Sequence, residues 1–471
     1  MKVVAIDQGT TGTKSFTLDD TGNFQSVAVF EHQQIYPHAG WVEHDPEELL
    51  RNVSLCIKAA GHVDAVGIDN QGETVVAWDA KTGRPLYNAI VWQDDRTQDI
   101  TAKLKADGAE ELTLKRAGLP LDPYFSASKL RWFIDHVDEA RALLKQGRLR
   151  LGTSDAFFHD RLTGTFATDV TTASRTSLMS LETCKWDPEL CSLFGVPIEC
   201  LPEIRSTAGD FGQMANTPVT ASLVDQQAAL FGHGCQAKGD AKITFGTGAF
   251  ALTITGSTRV DGSKFGILPT LAWRIGHEAP QFAIEGGVYN AASAVNWARS
   301  LGLFKEFSEI AHFDKPSALS RNLVFVPALS GLGCPHWDRA ATGLWIGMGL
   351  DTTAKDLVQA VLEGIALRAT EVITAMAEIA TLGPSISIDG GLTKNAYFNQ
   401  FLANSLGKTV VVQESSELTG FGTARMAMLG KGVKTLPSFP ASKAAIEPDA
   451  PLSPELKRRF SDAIVRARNW K

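Results

Sequence analysis

The sequence predicts an α/β protein of two similar domains facing each other across a cleft, and three observations carry that prediction. The motif AIDQGTTGTK (residues 5–14) follows a short apolar opening and recurs in altered form as AKITFGTGAFALTITG (residues 241–256). Each reads strand, Gly/Thr turn, strand. Acids or bare glycines stand at strand ends in four places: Asp7, Asp225 in VDQQAALFGHG, the turn Gly246, Thr247, Gly248, and Asp389 to Gly391 in SISIDGGLTKN. A chain of 471 residues also exceeds one small core, so two domains of roughly 200 residues or more are expected.

The elements follow in order. After Lys14, SFTLDD alternates polar and apolar and runs into the turn DDTGN, which predicts the second arm of a hairpin. DPEELLRNVSLCIKAAG reads as a helix, with Asp45 as cap, Pro46 in the first turn, and Glu47 and Glu48 against the helix dipole. DAVGIDN and the hairpin TVVAWDAKTGRPLYNAIVW add strands up to about residue 97. Helices dominate residues 101–160, as in SKLRWFIDHVDEARALLKQG, and the smaller pieces after Asp169 read as an insertion. The hinge is placed at the polar, Gly-flanked HGCQAKGDAK, which divides the chain into residues 1–236 and 237–471. In the second half YFNQFLANSLG repeats Phe398, Phe401 and Leu402 at helical spacing. Trp132 and Trp297 fall on helical faces and read as packing.

Composition bounds the partners. A formal charge of −7 with scattered basic residues argues against nonspecific nucleic-acid binding. No apolar run approaches the roughly 20 residues of a membrane helix, and Met1 leads straight into Lys2 and a strand, so a cytoplasmic enzyme without membrane association is expected. The six cysteines, Cys56, Cys184, Cys191, Cys200, Cys235 and Cys334, form no CxxC pair and read as reduced thiols rather than metal ligands.

The opening motif holds Gly, Lys and hydroxyl residues, yet it is not a P-loop, because Thr13 stands where Gly must precede the Lys. Its turn offers N–H groups, hydroxyls and one ammonium to an anion, and Asp7 can hold a metal ion. Alone, the stretch reads equally as an ordinary hairpin with a surface Asp. Likewise a Gly-Gly after a strand can be only a tight turn, and Asp225 only a helix cap.

Together, in this order, the four motifs resemble the actin-like ATPase superfamily. The strings AIDQGTTGTK, IYPHAGWVEHDPEEL, ETVVAWDAKTGRPLYNAIVWQ, LPLDPYFSASKLRW, DVTTASRTSLM, VDQQAALFGHG, TFGTGAF and GLGCPHW resemble the FGGY carbohydrate kinase family, closest to its glycerol kinase branch. The resemblance implies two duplicated, ribonuclease H-like domains and an ATP-dependent phosphotransferase acting on a hydroxyl of a small polyol or sugar. It also implies the roles of particular residues. Asp225 would be the catalytic base. Asp7 would hold Mg²⁺, and Thr10, Thr11 and Lys14 would steady the transferring phosphoryl group. Thr247 and Gly248 would bind the nucleotide phosphates, while Gly390, Gly391, Asn395, Ala292 and Asn296 would line the adenosine pocket. Glu73, Trp92, Tyr124, Asp225, Gln226 and Phe250 would surround the acceptor. A homodimer or other homo-oligomer is expected.

Two departures stand out. Glycerol kinases carry Arg where this chain has Gly72, in NQGET, and Trp92-x-Asp94-x-Arg96 is closer to the pentulose branch. Loss of that guanidinium is expected to open space for a longer acceptor, a tetritol or a xylulose- or ribulose-type pentulose, unless an Arg from elsewhere, with Arg96 as candidate, compensates. The stretch before Asp225 is also short and carries no Arg between Gly209 and Asp225, so a basic fructose-bisphosphate effector site is expected to be absent. A filament or chaperone ATPase of the same superfamily would need no acceptor residues beside Asp225.

Overall fold

The computed structural model describes residues 1–470. Its frame is a pair of sheets with one plan. In the first, strands Lys2–Gln8, Gly12–Asp19 and Phe24–Glu31 form an antiparallel meander, and Ala65–Asn70 and Thr217–Val224 extend it in parallel from Lys2–Gln8. In the second, Ala241–Phe245, Ala249–Gly256 and Gln281–Val288 repeat the meander, while Ser385–Gly390 and Thr409–Gln413 repeat the parallel extension. This is the duplication expected from the two Gly/Thr motifs. The core strands are buried on both faces, which is why VVAI and AVGI lack the alternation of an edge strand.

Local signals hold where they were strongest. The first helix runs Pro46–Ala59, with the Asp45 carboxylate accepting from the Glu47 N–H at 2.9 Å. Helix Ala396–Leu406 buries Phe398, Phe401 and Leu402. Between the shared elements of the first half lies a small sheet with the helices Ser126–His136 and Asp138–Lys145 packed on it, while Glu110–Arg116 packs on helix Pro188–Phe194. Trp132 is buried there, and Trp297 stacks on Trp345 at 5.2 Å. All six cysteines are free and buried, so those of the 184–200 segment are packing groups.

One helix breaks the chain order. Leu418–Gly430 lies between two strands of the second sheet, Thr409–Gln413 and Ser442–Ile446, but packs with Asp225–Gly232 against the first sheet. Glycine makes the approach possible: a Cβ at Gly232 would lie 2.0 Å from the Leu418 carbonyl oxygen, and one at Gly422 would lie 2.0 Å from that of Ala228. The resulting cluster joins Val3, Ala5 and Leu223 of the first sheet to Leu252, Ile254 and Ala283 of the second through Phe421, Ala424 and Met428. The core therefore continues beneath the cleft. Among the described residues, no helix is long and apolar enough to cross a membrane.

Candidate active site

Register brings the acids together. Asp7 pairs across the first hairpin with Lys14 and in parallel with Asp69, and Leu223, two residues before Asp225, pairs with Asp69 from the other side. Three carboxylates thus gather at one end of three adjacent strands, where open α/β sheets bind ligands. Burial raises Asp7, opposed by Lys14. Burial and then Asp7 push Asp69 well above the usual carboxylate range, although Thr423 of the crossing helix donates to it at 2.6 Å. Asp69 also shares a hydrogen bond with the Asp7 carboxylate, and apart from that its Oδ1 is buried with no donor facing it. Asp225 is pushed up to about 7 by burial, then by Asp7 and Glu73, with Lys242 opposing. Asp225 is the first residue of helix Asp225–Gly232, and the backbone N–H of Gln226 also lowers its carboxyl slightly.

The first turn is held from behind. His32 and Gln34 both reach the Thr10 carbonyl at 2.8 Å, and the Trp92 indole N–H donates to the Thr10 hydroxyl at 3.1 Å. Lys14 pairs at 3.0 Å with Glu417, the residue before the crossing helix. In the second turn the carbonyl of Thr247 accepts from the N–H groups of Ala291 and Ser293, and that of Gly246 from Ala292. A Cβ at Gly248 would meet the Val288 carbonyl oxygen at 2.6 Å, so only glycine fits. With its carbonyls tied down, the turn leaves Gly246 and Thr247 exposed.

One cavity meets the second turn, and another lies by the helix that follows it. The first, of about 300 Å³, lies between the halves and is walled by Trp92 and Tyr124 on one side and Thr247, Gly248 and Phe250 on the other. Trp92 and Tyr124 meet edge to face with centroids 5.6 Å apart. Buried Lys129 fixes the Tyr124 loop by donating to the carbonyls of Pro123, Tyr124 and Phe125. The other cavity, of about 400 Å³, is lined by Ala292, Asn296, Gly391 and Asn395 together with the apolar Val295, Phe307, Ile310 and Leu392. Gly390, beside it, has φ +97°, and a Cβ there would lie 2.2 Å from the Phe245 carbonyl oxygen. The Asn395 amide is occupied: it caps the next helix at Phe398 and donates to Ile310.

Around Glu73 the structure differs from the sequence reading. Arg96 is not the compensating guanidinium; it bonds Asp94 and Glu43 and lies 3.8 Å over the Trp41 ring, away from Glu73. Arg175 holds Glu73 instead, its Nε donating to Oε1 at 2.7 Å, while its Nη2 donates to Glu285 of the second sheet at 3.1 Å. Nor does Gly72 open space. A Cβ there would meet Val224 Cγ1 at 2.9 Å, because the valine isopropyl group fills that side. Gln226 accepts from buried Lys242 at 2.7 Å. Arg175, Glu285, Asp69 and Lys242 were not singled out from sequence. Only Lys242 left a signal, as a lone cation between apolar residues of a short strand.

Fold and site define a two-lobed phosphotransferase that uses ATP, with a Gly/Thr turn on each lobe and a cluster of carboxylates at the strand ends of the first. The chain belongs to the FGGY family of carbohydrate kinases: its N-terminal domain description matches residues 2–232 and its C-terminal one residues 241–430. The chain is 42% identical over 450 residues to a glycerol kinase of Rhizorhabdus wittichii, covering 91% of this chain and 88% of that one. It is 39% identical to one of Koribacter versatilis over 99% and 98% of the two chains. The solved structure of Plasmodium falciparum glycerol kinase with ADP superposes with a TM-score of 0.91 at 31% identity, covering 99% of this chain and 98% of that one.

Proposed function

We propose that this kinase transfers the γ-phosphoryl group of ATP to a hydroxyl of a small polyol of the glycerol class, with Asp225 as general base. The observation that carries the reading is Asp225 itself: a half-buried carboxylate at the strand ends that hold Asp7 and Asp69, its carboxyl pushed up to about 7 by desolvation, then by Asp7 and Glu73. A base of that strength accepts the acceptor's proton as its oxygen attacks phosphorus, and it orients that oxygen for in-line transfer. Trp92, Tyr124 and Phe250 offer aromatic walls to the acceptor's carbon skeleton. Glu73 and Gln226 lie beside Asp225 and provide polar contacts.

Asp7 and Asp69, with the Asp69 Oδ1 that no N–H or hydroxyl of another residue faces, form a donor set of hard oxygens suited to Mg²⁺, and Asp7 would hold the ion directly or through water. When bound, Mg²⁺ neutralises phosphate charge. Lys14, Thr10 and Thr11 hold the transferring group from the first lobe, and Thr247 and Gly248 hold the nucleotide phosphates from the second. The apolar cavity beyond Gly391 accepts the flat base.

ADP release tested over glycerol, tetritols, pentitols and ketopentoses, on the purified chain with MgATP, examines this reading. Glycerol or a four-carbon relative is expected to give the highest kcat/KM; no acceptor-dependent release from any of them would refute it. A pH profile adds a second check. The base must be ionised, and its carboxyl is raised from 3.8 to about 7, so kcat/KM should climb about tenfold per pH unit below 7 and level off above it. Raising Mg²⁺ should move that limb to lower pH, since a cation near Asp7 favours the charged form.

The nucleotide assignment has its own test. A Cβ at Gly391 would enter open space, so Gly391→Leu keeps the fold while filling the adenosine cavity. We expect ATP affinity to fall by about 1–3 kcal/mol, roughly ten- to hundredfold, with the acceptor KM unchanged. Equal ATP affinity in the two proteins would place the base elsewhere.

A further inference from the structure

Arg339 stands in the loop between strands Val324–Val326 and Leu344–Ile346 of the second lobe, and its backbone there is fixed. Leu332 and Asp338 exchange backbone hydrogen bonds at 2.8 and 2.9 Å, and the Asp338 carboxylate accepts from the N–H groups of Ala340 and Ala341 and from Arg468. The Arg339 side chain lines the cavity of about 300 Å³, with its guanidinium carbon 4.6 Å from the centroid of the Tyr289 ring. Its Nη2 crosses to the first lobe and donates to Asp122 Oδ1 at 3.0 Å. That same oxygen accepts from the backbone N–H of Tyr124 at 2.8 Å. One carboxylate oxygen thus joins the second lobe to the residue whose ring walls the cavity beside Trp92.

Tyr124 is held from two directions. Lys129 takes the carbonyls of Pro123, Tyr124 and Phe125 from within the first lobe, and Asp122 takes the Tyr124 N–H. The first hold is internal to its lobe, but the second depends on Arg339. Among the described residues, Arg339 is the one cation that pairs with Asp122, whose side chain is 13% exposed against 45% for the arginine. Asp95, on the same cavity rim, attracts the guanidinium as well.

We propose that Arg339 is a positioning residue for the acceptor: through Asp122 it holds the Tyr124 backbone, and with it the Tyr124 ring beside Trp92, from the opposite lobe. The proposal rests on the acceptor reading of the cleft given above. Because the ends of the contact belong to different lobes, it is made while the lobes stand in this arrangement and is lost if they part, so the grip on the acceptor is coupled to lobe closure. An ion pair with this exposure is also weakened by salt.

The experiment measures KM and kcat for glycerol and for the best acceptor of the screen at saturating MgATP, with ATP affinity by calorimetric titration. The proteins are wild type, Arg339→Met, Arg339→Lys, Asp122→Ala, and Arg339→Met combined with Asp122→Ala. Methionine keeps an apolar stem over Tyr289 and removes the donors. We expect Arg339→Met to raise the acceptor KM about three- to tenfold, with kcat within about twofold and ATP affinity unchanged, and Arg339→Lys to recover part of the loss. The double variant should match Asp122→Ala alone, because a residue that acts through Asp122 then has nothing left to act on. A polyol is uncharged, so raising NaCl from about 0.05 to about 0.5 M should lift the wild-type acceptor KM toward that of Arg339→Met and leave the variant's in place. An unchanged acceptor KM in folded Arg339→Met overturns the proposal, as does a further loss when that substitution is added to Asp122→Ala. So does an ATP affinity that falls in step with the acceptor, which marks a purely structural role. Should Arg339→Met not fold, Arg339→Lys and the salt series decide, and a wild-type KM indifferent to salt overturns it. If wild type phosphorylates none of the screened acceptors, the acceptor reading fails and this proposal with it; if it does and the variants behave as wild type, only the proposal fails.

Discussion

Asp225→Asn is expected to bind ATP as tightly as wild type and to turn over about 10²–10⁴-fold more slowly. The carboxamide keeps the volume and can still accept one hydrogen bond from the acceptor, so the ternary complex forms. What it cannot do is take a proton as the O–P bond forms. The substitution also removes a charge that Asp7 and Glu73 both oppose, so the variant should be no less stable than wild type and its affinity for nucleotide should hold or rise. Calorimetric titration with ATP, together with acceptor-dependent ADP release at saturating substrates, separates binding from chemistry. Turnover within threefold of wild type would remove Asp225 from the reaction. Turnover lost together with ATP binding would make it a structural residue of the nucleotide site.

Much of this site was legible because its parts are local in sequence. A Gly/Thr turn between two short strands declares a hairpin, and an acid at the end of an apolar run declares a strand end. The duplication supplied the rest of the frame, since one motif read twice predicts two sheets of one plan. Of the residues the resemblance assigned to adenosine, Ala292, Asn296, Gly391 and Asn395 line one cavity, which is the place we propose for the base.

What could not be read were pairings made across long stretches of chain. Arg175 sits in DVTTASRTSLM with nothing to distinguish it from a surface arginine; its partners Glu73 and Glu285 belong to different lobes. Arg96 looked the better candidate because it follows Trp92 and Asp94 closely, and that same closeness ties it to Asp94. The departure at Gly72 was visible, but its consequence depended on Val224, a neighbour only in the folded sheet. The helix Leu418–Gly430 was hidden for the same reason, as nothing within it records that it packs beside Asp225–Gly232.

The second large effect is expected at Arg175. Its guanidinium is buried, lies behind the Tyr124 and Phe125 rings, and neutralises one carboxylate from each lobe. Arg175→Met retains most of the volume but takes from Glu73 and Glu285 the guanidinium that bonds both, leaving nearby only the charges of Lys129 and Lys242, which bond neither, and this should cost about 3–5 kcal/mol in a denaturant titration at pH 8. The cost should shrink as pH falls. Glu285 is already held above its usual range by burial despite Arg175, and removing the arginine raises it further. A carboxylate with a raised folded pKa is stable when protonated and loses stability as pH rises through that pKa, so the deficit should be smaller at pH 5 than at pH 8. Adding Glu73→Gln and Glu285→Gln to Arg175→Met should recover most of the loss, because a neutral buried cluster carries no uncompensated charge. If the triple variant is as unstable as the single one, and the deficit does not change with pH, then Arg175 stabilises the cleft by packing against the aromatic rings, and the ion pairs joining the two lobes contribute little.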